Sequence, residues 1–272
     1  MKPPVLAGET ILHDQFLETA ISAARAGSEV LVHYMGKAEV SFKEGSTQNL
    51  VTQADVEAEA AIVDLIRRQF PTHAILGEEG GGDVDLNAEY LWIIDPLDGT
   101  TNYVHRIPQF CTAVAYASGG VIQVGAVLDP CRQELFHAVR GAGAFLNDEP
   151  ISVSKNSAFA EAVVATGFYY DRGDMMRQTL SSIEKLFENN VRGIRRLGAA
   201  ALDVCWVACG RWEGFFEYQL SPWDYAASSV IVEEAGGRCF DRGGDPLRID
   251  SGHVIATNAN LCDEIRAAVA WK

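Results

Sequence analysis

One short stretch, residues 90–102, limits most strongly what this chain can fold into. Its first residues form an apolar run with the length and composition of a buried strand, and the run ends in the carboxylate of Asp95. Pro96 and Gly99 then turn the backbone out of strand geometry, so Asp95 and Asp98 are predicted to lie at a strand end. Turns rich in Asp, Pro and Gly are also common without any function, so the neighbouring segments must decide between an ordinary turn and a functional site.

The same turn offers oxygen atoms suited to a hard cation. The turn contains the carboxylates of Asp95 and Asp98 and the backbone carbonyl of Leu97. Because Pro96 stiffens the turn, the Leu97 carbonyl is expected to lack a hydrogen-bond partner on a neighbouring strand. Mg²⁺ prefers such ligands, with water and substrate phosphate completing its shell. Residues 99–102 resemble a loop that opens a short helix, whose free N–H groups would favour an anion. The stretch therefore predicts a site where phosphate bridges metal and backbone.

Further acidic residues follow predicted strands or open predicted helices. Glu78 and Glu79 follow a short apolar strand. Taken alone the pair is typical of solvated surface charge, but beside a second acidic strand end a shared cation is the better account. Asp55 follows Thr52 in capping-box spacing, so it is a helix cap, a site residue, or both. Asp224 lies in the first turn of a proline-led helix, where it either complements the helix dipole or contributes to the site.

The composition argues against several classes of function. The 272-residue chain carries a formal net charge of −15, which disfavours nucleic acid or an acidic membrane surface as a primary partner, because both need a positive footprint. Its six cysteines are far apart and lack zinc-type spacing, which indicates buried thiols in a reducing cytoplasm. Because the sequence shows neither a signal-peptide pattern nor a membrane-spanning apolar run, a cytoplasmic location is expected. Its six histidines are scattered and are interpreted as structural or exposed.

The order of predicted elements indicates an α+β or α/β fold. In residues 1–156, amphipathic helices precede short strands and an antiparallel meander whose first hairpin turns at a Gly-Gly pair. A further hairpin is predicted between residues 144–147 and 151–154. In residues 157–272, strands and helices alternate, as is typical of α/β structure. No linker, low-complexity tract or repeat separates the halves, so residues 1–272 are expected to form one domain of two lobes closing on one cleft.

Three motifs together resemble the inositol monophosphatase family in order and spacing. They are Gly77-Glu78-Glu79, Asp95-Pro96-Leu97-Asp98-Gly99-Thr100-Thr101-Asn102 and Trp223-Asp224-Tyr225-Ala226-Ala227. The likeness extends from the first helix to the C-terminus and includes Lys43 in a polar loop, Asp55, and the segment Arg195-Arg196-Leu197-Gly198. The resemblance implies the family's layered αβαβα sandwich, Mg²⁺-dependent and Li⁺-sensitive hydrolysis of small phosphate monoesters, and a homodimer.

The resemblance also implies a set of metal ligands. One Mg²⁺ would be bound by Glu78, Asp95 and the Leu97 carbonyl. A second would be bound by Asp95, Asp98 and Asp224, so that Asp95 bridges the pair. A weaker third ion would lie near Glu78. Mn²⁺ could substitute for Mg²⁺, and Li⁺ or Ca²⁺ would inhibit.

The mechanism implied by the family is direct attack on phosphorus by a metal-activated water, with a second metal steadying the leaving alkoxide and no phosphoenzyme. Glu78 would orient and deprotonate that water, with Thr100 hydrogen-bonded towards Asp55 as its partner. N–H groups near Gly99 and Thr100 would hold phosphate oxygens. Asp55, Glu78 and Thr100 are therefore the candidate catalytic residues.

Substrate hydroxyls are expected to meet carboxylates, because each carboxylate can accept two hydroxyl bonds. The implied substrate-binding residues are Asp98, Gly99, Thr100, Arg195, Gly198, Ala200, Glu217 and Asp224. Two features depart from the family pattern. Ala199 stands where many members have a hydroxyl residue, which affects the expected substrate contacts. The loop after Lys43 is longer than in some members, which affects the third metal.

Several substrates fit the same metal framework. The resemblance favours myo-inositol 1-phosphate, whereas fructose-1,6-bisphosphatases, histidinol phosphatases and 3′-nucleotidases of the wider superfamily share the framework. Arg172 could hold a second phosphate and would then favour a bisphosphate, although a solvated loop arginine is more typical. From a different class, the chain could be a regulatory binding module. A structural protein that binds Mg²⁺ or Ca²⁺ without releasing phosphate is the remaining alternative.

Overall fold

The computed structural model of the chain describes residues 7–37, 40–42, 50–80, 83–170 and 172–271. Lys43 lies outside these ranges. The helices of the described residues are α1 (Ala7–Tyr34), α2 (Gln53–Gln69), α3 (Thr100–Val104), α4 (Asp174–Glu188), α5 (Ala200–Ala208), α6 (Pro222–Glu234) and α7 (Cys262–Val269). Within these ranges, none of the helices is both long enough and apolar enough to cross a membrane.

The strands form two main sheets and one small pair. They are β1 (Val40–Phe42), β2 (Leu50–Thr52), β3 (Ala74–Gly77), β4 (Leu91–Asp98), β5 (Cys111–Ser118), β6 (Val121–Asp129), β7 (Glu134–Val139), β8 (Gly143–Leu146), β9 (Glu149–Pro150), β10 (Val163–Thr166), β11 (Gly193–Arg195), β12 (Gly214–Tyr218), β13 (Arg238–Phe240) and β14 (His253–Thr257). The first main sheet runs from β3 to β9 in sequence order and is antiparallel except for the parallel β3–β4 pair. The second is mixed, in the order β11-β10-β12-β14-β13. β1 and β2 pair antiparallel with each other.

Helical layers alternate with the two sheets. α1 and α2 pack on one face of the seven-stranded sheet, around Phe16, Ile62 and Trp92. α5 and α6 lie between the sheets, and they are apolar on nearly all sides because a sheet faces each side of this layer. α4 and α7 cover the far face of the five-stranded sheet, around Leu186 and Phe216. This is the αβαβα arrangement that the family resemblance implied.

The strand that carries the acidic turn ends later than predicted. β4 does not stop at Asp95 but continues through Pro96 to Asp98, and all of its residues are buried. Its register against β5 shifts between Asp95 and Asp98, which marks a bulge. Proline is tolerated at a bulge because no ladder hydrogen bond has to be donated there. In a regular strand, residues three apart point to opposite faces, and the bulge allows both carboxylates to reach the same side.

The predicted second hairpin is wrong in its second strand. β8 turns at Asn147, whose φ is +54°, and pairs directly with Glu149 and Pro150. An asparagine tolerates this left-handed conformation, which makes a tighter turn than the one expected. Residues 151–154 are outside any strand, and the Val153 N–H donates instead to the Ala235 carbonyl at the end of α6.

Candidate active site

A cavity of about 330 Å³ opens where the end of β4 meets the N-termini of α5 and α6. Its walls come from both main sheets and from the helical layer between them. The lining residues are Glu78, Asp95, Leu97, Asp98, Gly99, Thr100, Thr101, Gly167, Phe168, Tyr169, Tyr170, Arg196, Gly198, Ala200, Glu217, Leu220, Ser221, Trp223 and Asp224. The predicted site residues thus converge on one cavity, apart from Asp55 and Arg195, which do not line it, and Lys43, which lies outside the described residues.

Asp95 lies at the bulge of β4 and is almost completely buried. Its Oδ1 accepts a hydrogen bond from the Leu97 N–H at 3.0 Å. Burial raises the pKa of Asp95 well above its usual range, and the charges of Glu78, Asp98 and Asp224 raise it further. Carboxylates gathered in a dry site are costly unless protons or a cation compensate their charge. The cluster therefore favours a positively charged ligand.

Asp98 is held by backbone N–H groups of α5 and by a thiol of β5. Its carboxylate accepts hydrogen bonds from the N–H of Ala200 at 3.1 Å and of Ala201 at 2.7 Å, both at the start of α5. The thiol of Cys111 lies 3.6 Å from Oδ2. Burial raises the pKa of Asp98 to about 6, although these donors lower it. The Ala200 N–H is therefore directed at Asp98, and Ala200 also lines the cavity, so its contact with substrate stays a prediction.

Asp224 combines the two roles that the sequence left open. The Ser221 N–H donates to Asp224 Oδ2 at 2.6 Å, and the two residues form a capping box with Pro222 in the first turn of α6. Burial raises the pKa of Asp224 well above its usual range, and the charges of Glu78 and Asp98 add to this effect. Asp224 thus caps α6 and also lines the cavity.

Asp55 lies behind the cavity wall. It completes the predicted capping box of α2 by accepting a hydrogen bond from the Thr52 N–H at 2.9 Å. Its other carboxylate oxygen is 3.4 Å from Thr100 Oγ1, which lies 3.3 Å from the Leu97 carbonyl oxygen. Burial raises the pKa of Asp55 to about 6. Thr100 therefore connects α2 to the carbonyl that was predicted to bind a metal.

Glu78 is placed by a buried residue of α2, Glu59, which was not among the predicted site residues. The carboxylate of Glu59 accepts a hydrogen bond from the Glu79 N–H at 2.8 Å. A β-carbon at Gly77 or Gly80 would come within 2.7 and 2.6 Å, respectively, of the Glu59 carboxylate. The glycines on either side of the acidic pair thus allow Glu59 to approach the backbone closely. Glu59 follows the capping carboxylate of α2 by one helical turn, so the two acids lie on the same side of the helix.

The wall opposite β4 contains Glu217 and Arg196. Burial raises the pKa of Glu217 to about 8, while the charge of Arg196 lowers it. Arg195 is exposed, does not line the cavity, and donates to the carbonyl of Ile194 at 3.0 Å. The structure therefore places Arg196 on the cavity wall, whereas the family resemblance implied Arg195.

Two tyrosines complete this wall. The rings of Tyr169 and Tyr170 meet edge to face with their centroids 5.6 Å apart, and both residues line the cavity. Arg172 does not line it, and its guanidinium donates to the Tyr169 carbonyl at 3.0 Å. Arg172, which was considered for a second phosphate, is therefore bonded to the backbone of Tyr169.

The donor atoms of the cavity suit a hard cation. They are carboxylate and carbonyl oxygens, and the lining contains no histidine or cysteine. Such a set fits Mg²⁺ better than a softer metal. In the described part of the chain, no three His, Cys, Asp or Glu side chains form a ready-made group of metal ligands. A cation here would also need the Leu97 carbonyl, water or substrate oxygens in its shell, which is common for Mg²⁺.

The αβαβα layering, with an acidic cavity between its two sheets, is an arrangement suited to a metal-dependent hydrolase of phosphoric monoesters. The chain belongs to the inositol monophosphatase family, whose sequence model matches residues 12–272.

Individual relatives agree with this assignment. An inositol-1-monophosphatase of Synechocystis is 39% identical over 255 residues, which cover 94% of this chain and 88% of that protein. A Nus factor SuhB of Pseudomonas aeruginosa is 41% identical over 249 residues, covering 89% and 91%. The solved structure of an IMPase from Thermotoga maritima is similar with a TM-score of 0.85 at 37% identity, covering 94% of this chain and 96% of that one. The predicted family, layered fold and phosphatase class are confirmed.

Proposed function

We propose that this phosphatase hydrolyses myo-inositol 1-phosphate to inositol and phosphate with Mg²⁺ as its cofactor. The observation that carries the proposal is the cluster of Glu78, Asp95, Asp98 and Asp224 lining one cavity, where burial and then the charge of Glu78 raise the pKa of Asp95. Similarity to a protein named inositol-1-monophosphatase supports the choice of substrate. Mn²⁺ should replace Mg²⁺, and Li⁺ or Ca²⁺ should inhibit.

The residues that would hold the cations follow from the cavity. Glu78, Asp95 and the Leu97 carbonyl would hold one ion, with a weaker third ion near Glu78. Asp95, Asp98 and Asp224 would hold another. When bound, the ions supply neutralising charge, Lewis-acid stabilisation of the phosphate and a lowered pKa for water. The carboxylate cluster would then be compensated without being protonated.

The chain's own groups orient the reaction. Glu78 lines the cavity and would position the attacking water and accept its proton. Thr100 Oγ1, between Asp55 and the Leu97 carbonyl, would keep that part of the turn in place. N–H groups at Gly99 and Thr100, where α3 begins, would hold phosphate oxygens.

The opposite wall suits the hydroxyl groups of a polyol. Asp98, Glu217 and Asp224 line the cavity, and each carboxylate can accept two hydroxyl bonds. Because the pKa of Glu217 is about 8 in the metal-free protein, its carboxyl could also donate a hydrogen bond at neutral pH. Arg196 lines the same wall and would contact substrate in the role first assigned to Arg195. The backbone at Gly198 would complete this surface.

The decisive experiment is phosphate release from myo-inositol 1-phosphate, fructose 1,6-bisphosphate, histidinol phosphate and 3′-phosphoadenosine 5′-phosphate. Each is measured with Mg²⁺, with Mg²⁺ and Li⁺, and with the Asp95→Asn variant as control. Inositol 1-phosphate should give the highest kcat/KM, and both Li⁺ and the substitution should abolish turnover. If another ester has the highest kcat/KM, the substrate assignment fails while the metal site stands.

A second candidate function is that of a regulatory binding module, since one relative is named a Nus factor. The net charge of −15 makes a protein partner more suitable than direct contact with nucleic acid. This function would be favoured if an Asp95→Asn protein that lacks phosphatase activity still binds its protein partner as the wild type does.

We also propose that the protein is a cytoplasmic homodimer, which light scattering and cell fractionation would test.

A further inference from the structure

Asn102 ends the acidic-turn motif and has no role in the chemistry described so far. It lies in α3 and is only 5% exposed. Its side-chain nitrogen is 2.8 Å from the Gln109 carbonyl oxygen, 2.8 Å from that of Leu197 and 3.3 Å from that of Gly198. Since an amide NH₂ has two hydrogens, the two shorter contacts are the principal bonds. One side chain thus joins the segment after β4 to the turn before α5.

Asp98, the last residue of β4, binds the same turn a second time. Asp98 accepts hydrogen bonds from the N–H groups of Ala200 and Ala201, whereas Asn102 donates to carbonyl oxygens at 197 and 198. The two contacts are chemically complementary, because an acceptor meets N–H groups at one end of the turn and a donor meets carbonyls at the other. Asp98 and Asn102 therefore bind residues 197–201 at two points.

The turn packs closely against the segment that holds it. Gly198 has a φ of +88°, and a β-carbon there would lie 2.5 Å from Arg196 Nη1 and 3.4 Å from Asn102 Nδ2. A β-carbon at Gly99 would lie 3.3 Å from that of Ala199, which is fully buried. With so little space between the two backbones, the position of the turn depends on the polar contacts that join them.

We propose that Asn102 is a positioning residue for the active site. Its amide fixes the 197–201 turn, and the N–H groups of that turn fix the carboxylate of Asp98 in the orientation required of a metal ligand. The inference rests on the proposed function, because it takes Asp98 as a ligand of the proposed Mg²⁺ site. Without the amide, the carbonyl oxygens of Gln109 and Leu197 lose a buried donor, and the start of α5 can move relative to β4.

The test compares Asn102→Ala with Asn258→Ala. Asn258 is a matched control, because it is fully buried, donates to the carbonyls of Ser154 and Asn156 at 3.1 and 2.9 Å, and does not line the cavity. Two quantities are measured in each protein: the Mg²⁺ concentration that gives half of the maximal rise in Tm, and kcat and KM with Mg²⁺ present. Both variants should lower Tm in EDTA, which reports the structural cost alone.

Only Asn102→Ala should raise the Mg²⁺ midpoint and lower kcat, each by about 10-fold or more, as is typical of residues that orient metal ligands. An unchanged midpoint in Asn102→Ala, or equal shifts in the two variants, overturns the proposal. If Asn102→Ala does not fold, Asn102→Ser takes its place under the same comparison, because one hydroxyl on a shorter side chain cannot make both bonds of the amide.

The wild-type protein reports on the proposed function separately. If it prefers a different ester, the substrate assignment fails, but a raised Mg²⁺ midpoint in Asn102→Ala still supports the role of Asn102. If the wild-type Tm does not respond to Mg²⁺, both the metal site and the role of Asn102 are overturned.

Discussion

The carboxylate of Glu59 accepts a hydrogen bond of 2.8 Å from the backbone N–H of Glu79. This bond crosses from α2 to the loop after β3, next to Glu78 on the cavity wall. Glu59 is 7% exposed, and burial raises its pKa, while the N–H groups of Glu79 and Gly80 lower it. A buried acid that binds two backbone N–H groups is well suited to hold a neighbouring metal ligand in place.

The first prediction concerns this support of Glu78. Glu59→Ala should raise the Mg²⁺ concentration for half-maximal activity by about 10-fold, because the loop loses the acceptor of its N–H groups. Glu59→Gln keeps one acceptor oxygen and should have a smaller effect. The control is Glu57→Ala on the same helix, since the Glu57 carboxylate bonds to Tyr34 and Gln53 and does not line the cavity. A wild-type Mg²⁺ requirement in Glu59→Ala would contradict the prediction.

The second prediction separates activity from stability. Asp95→Asn removes the carboxylate proposed to bridge two metals, so activity should fall by more than about 100-fold, beyond the usual effect of supporting residues. An amide of the same shape can still accept the hydrogen bond from the Leu97 N–H. It also has no charge to desolvate, so the Tm in EDTA should equal or exceed that of the wild type. Thermal denaturation in EDTA and in Mg²⁺ tests this, and a lower Tm in EDTA counts against it.

Features that depend on a few consecutive residues could be predicted from the sequence. The capping box of Thr52 and Asp55 is one, because side chain and backbone partners lie within one helical turn. The hairpin at Gly119 and Gly120 is another, since both residues adopt positive φ angles, +55° and +79°, that glycine allows. The three acidic motifs likewise identified the family, because each keeps its ligands on one short segment.

Features that depend on pairing between distant segments could not be predicted. The bulge at Pro96 exists only in the register of β4 against β5. Which of Arg195 and Arg196 faces the cavity depends on the packing of β11 and the turn after it, and neighbouring residues there can point to opposite sides. Glu59 binds the N–H of Glu79 and Asn102 binds the carbonyl of Leu197, and no local pattern indicates these distant partners.

The third prediction is a pH dependence of stability in the metal-free protein. Burial raises the pKa of Glu217 from 4.5 to about 8, so the folded state keeps a proton that the unfolded state releases. This stabilising contribution is complete below pH 4.5 and is lost as the pH rises towards about 8. Asp55 and Asp98, each with a pKa raised to about 6, act in the same direction.

The Tm in EDTA should therefore fall as the pH rises through this window, and it should fall less steeply in Glu217→Gln. Parallel curves for the two proteins would show that Glu217 does not hold the extra proton. Mg²⁺ should reverse the trend, because its ligands must be deprotonated to bind it, so the Mg²⁺ midpoint should drop as the pH rises. Differential scanning fluorimetry across buffers of matched ionic strength measures both effects.

The last prediction uses the adjacent arginines as a matched pair. Both arginines are exposed, but Arg196 lines the cavity and its charge lowers the pKa of Glu217, whereas Arg195 does not line it and donates to the Ile194 carbonyl. Arg196→Ala should raise KM for the preferred ester by about 10-fold, the typical effect of losing a hydrogen bond from a charged group. Arg195→Ala should change KM by less than about twofold, as expected for a surface substitution.

Arg196→Ala should also move the Glu217-dependent stability change to higher pH, because the charge that lowers the pKa of Glu217 is gone. The reverse pattern of KM values would put the substrate beside Arg195, as the family resemblance implied, and would mean that this wall rearranges when substrate binds.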